Sequence, residues 1–121
     1  MSSVTITAET LDDVLDQHDI VFLDFWAEWC GPCRNFAPVF EQAAKTHTDI
    51  VFGKVNTEVE RQLATGFVIR SIPTLIVFRE GIIVFEQAGA LGEAQLAQVI
   101  AGARALDMKR VREEARQLEE S

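Results

Sequence analysis

The run Ile20-Val21-Phe22-Leu23-Asp24-Phe25-Trp26 constrains this chain more than any other segment, because it is apolar at almost every successive position. A strand of that kind has no wet face, so it belongs at the centre of a sheet covered on both sides. Asp24 is the exception within it. In the alternation of the strand it falls with Phe22 and Trp26, so its carboxylate faces a covered side, where lost hydration raises a carboxyl pKa. An ionisable group in such a place calls for a reason. A place in a functional site is one, since perturbed groups cluster there, and pairing with Lys54 on the next strand is another.

The remaining periodicity supplies the layers around that strand. Val4 to Ile6 reads as a short first strand, and Thr7 is placed to cap a helix with Leu11, Val14 and Leu15 on one face. Phe36, Val39, Phe40 and Ala43 recur at helical steps and predict a helix from about Cys30, kinked where Pro38 removes a backbone donor. Ile50 to Val55 reads as a strand, and Glu58 to about Ala64 as a short helix ending near Gly66. Thr74 to Phe78 and Ile82 to Gln87 flank the hairpin signal Arg79-Glu80-Gly81. Gly89 and Gly92 precede a helix whose Leu96, Val99, Ile100 and Ala103 form an apolar stripe. Strands alternating with helices, then a hairpin and a helix, predict an α/β domain with a mixed sheet.

Both cysteines stand in Trp29-Cys30-Gly31-Pro32-Cys33, directly after the apolar strand. Two thiols at this spacing can close an internal disulfide without large backbone movement. Cys30 opens the predicted helix, where unpaired N–H groups and the positive end of the macrodipole favour an anion, so its thiol pKa should be lowered. It is therefore the expected nucleophile. Cys33, one turn further in and more shielded, suits a resolving thiol. Pro32 fixes φ and lacks an N–H, so Gly31-Pro32 makes a stiff link that tunes the pair. The same spacing is also half of a zinc site. His18 lies in a helix-end loop and His47 at the far end of the cysteine helix, which leaves the four ligands of tetrahedral zinc hard to assemble.

Composition narrows the functional classes. At 121 residues, 48% hydrophobic and 25% charged, the chain reads as one globular domain able to bury around two thirds of its unfolded surface. A net charge of −8 argues against binding nucleic acid through its phosphates, which needs a basic stripe. No segment approaches the roughly 18 apolar residues of a membrane span. The opening Met-Ser-Ser-Val-Thr-Ile-Thr has no basic region or apolar signal core, which suggests a cytoplasmic protein. In a reducing compartment, neighbouring cysteines are catalytic or metal-binding rather than structural.

The element order, Asp24-Phe25-Trp26-Ala27-Glu28-Trp29-Cys30-Gly31-Pro32-Cys33, and Ser71-Ile72-Pro73-Thr74 together resemble the thioredoxin family over about residues 4 to 106. The resemblance implies a thioredoxin-like fold, a central mixed β-sheet flanked by helices, here with an extended C-terminal helix. It implies a protein-disulfide reductase in which Cys30 attacks, Cys33 resolves and Asp24 accepts the proton of Cys33 through water. Gly31-Pro32 resembles the reducing members rather than the oxidising ones. Pro73 would be cis and face the cysteines, leaving the Ile72 backbone free to pair with an extended substrate, although a trans proline at a strand start is the plain alternative. Trp29, Gly31, Ile72, Gly89 and Ala90 match positions that form the family's apolar docking surface.

No bound cofactor is implied beyond the reversible Cys30–Cys33 disulfide. The chain carries no nucleotide fingerprint, so electrons would pass from NADPH through a separate thioredoxin reductase to disulfide-containing client proteins. Nucleic acid and membrane are not expected partners. A competing, non-enzymatic reading is a binding or chaperone-like subunit using the same apolar surface. Possession of both thiols, Asp24 and Pro73 favours catalysis.

Residues 1–106 are expected to form the thioredoxin domain and 107–121 a charged helical extension. In the latter Met108, Val111, Ala115 and Leu118 make a stripe, with Lys109/Glu113, Arg110/Glu114 and Arg116/Glu120 placed to pair. It reads either as a docking or self-association helix or as a solvated elongation of the last core helix, and a monomer is expected. Thr57-Glu58 and Asn35-Phe36 depart from the family's usual pairs without touching the proposed chemistry. Trp26 reads as packing support, and Phe25, Phe36, Phe40, Phe52 and Phe78 as core.

Overall fold

The computed structural model describes residues 2–120, so Met1 and Ser121, the outermost residues of the expected division, lie outside it. Ten elements follow one another: β1 (Val4–Thr5), α1 (Leu11–Gln17), β2 (Ile20–Trp26), α2 (Gly31–Thr46), β3 (Val51–Asn56), α3 (Arg61–Gly66), β4 (Thr74–Arg79), β5 (Ile82–Ala88), α4 (Glu93–Ala105) and α5 (Met108–Glu120). The apolar run is the central strand of a five-stranded sheet of order β1-β3-β2-β4-β5. β1, β3 and β2 run parallel, β4 runs antiparallel to β2, and β5 runs antiparallel to β4. The sheet is therefore mixed, as the element pattern requires.

The pleat of β2 sorts its side chains between two cores. Ile20 and Phe22 pack with Phe36 and Phe40 of α2 and Leu96 and Ile100 of α4. Val21, Leu23 and Phe25 pack with Ile6, Leu11, Val55 and Phe78, beneath Leu63 and Phe67 from α3 and its end. Each fully buried Phe adds about 2–3 kcal/mol of hydrophobic stabilisation, before the entropy of ordering it is set against that gain. β1 reaches β3 at Val4↔Gly53, where a Cβ on Gly53 would collide with the Ile6 side chain. The missing side chain lets this edge close. Between β4 and β5, Glu80 and Gly81 both have positive φ, 53° and 77°, the backbone of a two-residue hairpin turn.

Element ends depart from expectation where side chains compete with the backbone. Thr7 does not cap α1, which begins at Leu11; the Thr7 carbonyl accepts from Thr10 and Leu11 N–H in a turn that precedes it. α3 begins at Arg61 rather than Glu58, because Asn56 Oδ1 accepts from Glu58 N–H at 2.9 Å and its carbonyl from Val59 and Glu60. That Asx-type turn replaces the first helical turn.

The last helix is not an elongation of α4. Leu106 is extended (φ −62°, ψ 138°), and Asp107 restarts the helix by accepting from Arg110 N–H on its carboxylate and from Val111 N–H on its carbonyl. α5 is seated by buried Met108 and by Arg112, whose guanidinium donates to the Glu80 carboxylate at 2.7 and 2.8 Å. Arg110 pairs with Glu114 as expected, and Arg116 lies 4.0 Å from Glu120. Glu113, however, accepts from Arg116 instead of Lys109. Among the described residues no helix is long and apolar enough to cross a membrane.

Candidate active site

The carboxyl end of β2 delivers the chain to α2 through a short turn in which Cys30 N–H donates to the Ala27 carbonyl and Arg34 clamps the Glu28 carbonyl at 2.8 Å. Cys30 is the N-cap of α2, with Pro32 in its first turn. Its sulfur accepts from the Cys33 N–H at 3.1 Å. A backbone donor at a helix start, aimed at sulfur, favours negative charge there. Cys30 and Cys33 form a disulfide with Cα atoms 5.2 Å apart. In this oxidised form they are shielded almost equally, at 4% and 3% exposure, so the deeper burial expected of Cys33 is absent.

Asp24 lies on the same face of β2 as Phe22, and so on the α2 side of the sheet that carries Cys33. Its side chain is fully buried, and neither carboxylate oxygen has a hydrogen-bond partner. Lys54, its register partner on β3, brings an ammonium to 3.8 Å, an ionic neighbour rather than a hydrogen-bond donor. Burial pushes the Asp24 pKa up to about 6, and Lys54 opposes the rise. The same ammonium stands 4.9 Å from the centre of the Trp26 ring, whose buried Nε1 also has no partner. Lys54 thus stands alongside Asp24 while the carboxylate remains without a hydrogen bond.

The other wall is the segment that joins α3 to β4. It leaves α3 through Val68, a β-branched residue at φ 55°, and reaches a cis Ile72–Pro73 bond. The Ile72 carbonyl oxygen lies 3.7 Å from Cys30 Sγ. The Pro73 carbonyl accepts from Gly89 N–H at 2.8 Å, and Gly89 adopts φ 99°, which favours glycine. The sequence-predicted Ile72, Pro73 and Gly89 are therefore brought together beside the cysteines, with Ala90 exposed next to them. Trp29 stands out at 67% exposure. It separates two hollows, one of about 340 Å³ lined with Ile69, Arg70, Ser71 and Ile72, and one of about 430 Å³ lined by Glu28, Asn56 and Glu58.

Thr57-Glu58 does more than sequence reading allowed. The Glu58 carboxylate accepts from Trp29 Nε1, and Thr57 donates to the Trp26 carbonyl through both its N–H (2.9 Å) and its hydroxyl (3.1 Å). Glu58 holds the exposed indole, and Thr57 ties the segment to the end of β2. The signal was topological: Trp26 pairs with Asn56, and residues just past the carboxyl ends of neighbouring parallel strands share one end of the sheet. Among the described residues, no three His, Cys, Asp or Glu side chains converge as metal ligands. His47 instead approaches Arg104 at 3.1 Å, in a cluster with Asp49.

What these atoms do chemically is exchange one disulfide for another, which places the chain among the thiol-disulfide oxidoreductases. A family model described as Thioredoxin matches residues 2–102. A Streptomyces coelicolor protein named "Putative thioredoxin 2" is 53% identical over 111 residues, 92% of this chain and 83% of that one. A Mycobacterium tuberculosis thioredoxin is 44% identical over 85 residues, 69% of this chain and 73% of its own length. Among solved structures, a point-mutant thioredoxin from Halobacterium salinarum superposes with a TM-score of 0.79 at 35% identity, covering 86% of this chain and 93% of that one. Plasmodium falciparum thioredoxin gives 0.76 at 34% identity, covering 83% and 97%. The chain belongs to the thioredoxin family, and its activity is that of a thiol-disulfide reductase.

Proposed function

We propose that Cys30 is the attacking thiolate, Cys33 the resolving thiol and Asp24 the proton acceptor in reduction of protein disulfides. The observation that carries this reading is the position of Cys30 as N-cap of α2 with the Cys33 N–H directed at its sulfur. The Cys30 thiolate attacks one sulfur of a client disulfide; that S–S bond breaks, and the departing client sulfur takes up a proton. Asp24, through an intervening water, accepts the Cys33 proton, and Cys33 attacks Cys30 Sγ. The mixed disulfide breaks, the second client sulfur leaves and is protonated, and Cys30–Cys33 is oxidised. Two electrons have moved from the protein to the client.

The surrounding residues have supporting roles. Lys54 keeps the Asp24 carboxylate ionisable against its burial, and Gly31-Pro32 fixes the geometry between the sulfurs. Trp29, Gly31, Ile72, Pro73, Gly89 and Ala90 make the docking surface, with the Ile72 backbone pairing to an extended client segment. A thioredoxin reductase using NADPH returns the disulfide to the dithiol. We read residues 1–106 as the reductase domain and 107–121 as an appended helix on a monomeric, cytoplasmic protein.

Cys33→Ser should trap client proteins as mixed disulfides, whereas Cys30→Ser should trap none; capture followed by release with dithiothreitol reads this directly. The opposite pattern reverses the two roles. Insulin reduction coupled to NADPH oxidation by thioredoxin reductase tests the whole cycle, and no turnover above background with any reductase tried would sink it.

A further inference from the structure

Among the described residues Arg70 is the one arginine without a hydrogen bond or ion pair. Each of the others donates at least one hydrogen bond, including Arg34 and Arg61 around the same site. Arg70 is exposed, and it lines the hollow of about 340 Å³ that Trp29 and Ile72 share. It is two residues from Ile72, whose carbonyl lies 3.7 Å from the nucleophilic sulfur. A guanidinium left unpaired at the edge of a reaction site, with a planar fork of donors, is matched chemically by a carboxylate.

The far side of Trp29 carries the opposite sign. Glu28 and Glu58 line the second hollow, so the exposed indole separates a cationic recess from an anionic one. The chain as a whole bears a net charge of −8, which repels an acidic client at long range. That field is screened over about 8 Å at physiological salt, leaving a short-range contact to decide. We infer that Arg70 is a specificity-determining residue that selects client disulfides whose cysteine is flanked by Asp or Glu. The occupant of the hollow is then the acidic side chain of an extended client segment laid against Ile72. This rests on the reductase reading above.

The test uses the full-length protein, reduced beforehand with dithiothreitol and freed of it, against disulfide-linked peptide dimers carrying Glu, Ala or Lys on both sides of the cysteine. Single-turnover oxidation is followed by acid-quenched thiol labelling, which needs no reductase. The wild-type protein should reduce the Glu peptide about fivefold faster than the Lys peptide at physiological salt, the scale of one exposed charge pair, with the ratio collapsing in 1 M salt. Arg70→Ala should bring the ratio to one or below, Arg70→Glu should invert it, and Arg70→Lys should restore most of it. A wild-type ratio near one, or a ratio that survives Arg70→Ala, overturns the inference while leaving the reductase reading intact. Failure of the wild type to reduce even the Ala peptide overturns both.

Discussion

Asp24 and Arg79 are two charged side chains buried on adjacent strands of one sheet, and they have opposite circumstances. Arg79, at the end of β4 away from the cysteines, donates to both oxygens of Asp19 (3.1 and 3.3 Å) and to the Ala103 carbonyl (2.6 Å). Its burial is matched by partners, and it ties β4 to the loop before β2 and to the end of α4. Asp24, at the cysteine end of β2, has a lysine at 3.8 Å and no hydrogen bond at all. A buried charge with all its partners holds a fold together. One left short of them is poised to change its protonation state, and Asp24 sits in the half of β2 from which the chain passes to the cysteines.

Removing each charge should have opposite signs, with Asp24 giving the larger effect. Asp24→Asn should slow resolution of the mixed disulfide by about a hundredfold, the scale of a lost general base, measured as decay of a trapped client complex. It should also raise stability at pH 7. Folding lifts the Asp24 pKa from 3.8 to about 6, so the folded protein holds that proton more tightly than the unfolded chain. The associated stability is complete below pH 3.8 and is lost as the pH rises through about 6, on the order of 3 kcal/mol in all. Urea unfolding of wild type and Asp24→Asn across pH 4 to 7 should therefore diverge with rising pH. Parallel curves break the contrast.

Arg79→Met should act the other way, costing about 2 kcal/mol of stability and lowering Tm by about 8 °C while turnover stays at the wild-type level. A loss of turnover without a loss of stability would mean that the two ends of the sheet are coupled. The smallest effect belongs to α5. Arg112→Ala breaks an exposed pair with Glu80 and should cost less than about 1 kcal/mol in the same unfolding measurement. A larger cost would make the appended helix part of the scaffold that Arg79 organises.

The central strand, the cysteine helix and the face occupied by Asp24 were legible because each rests on a local period: two along β2, three to four along α2. The hairpin was legible from its turn residues. The starts of α1 and α3 were not, since the Thr7–Thr10 turn and Asn56 settle them by local hydrogen bonds that a hydrophobic pattern does not register. Asp107 is a residue type suited to an N-cap, yet periodicity alone left an elongation of the last core helix as one of two readings of the tail. At the site, Cys30, Cys33, Ile72 and Pro73 come from contiguous motifs. The grip of Glu58 on Trp29 and the unpaired state of Arg70 depend on strand register and three-dimensional neighbours, which linear spacing does not encode.

The two indoles have an optical consequence. Trp26 and Trp29 are the only tryptophans in the chain, which contains no tyrosine, and they flank the turn into Cys30. Nearly all emission excited near 295 nm therefore originates within a few residues of the disulfide, from one half-buried ring beside Lys54 and one standing in solvent. The remainder of the molecule is dark at that wavelength. Client docking, oxidation and the titration behind the cysteines each alter the surroundings of one ring or the other, so unlabelled protein carries its own reporter at the place where the chemistry occurs.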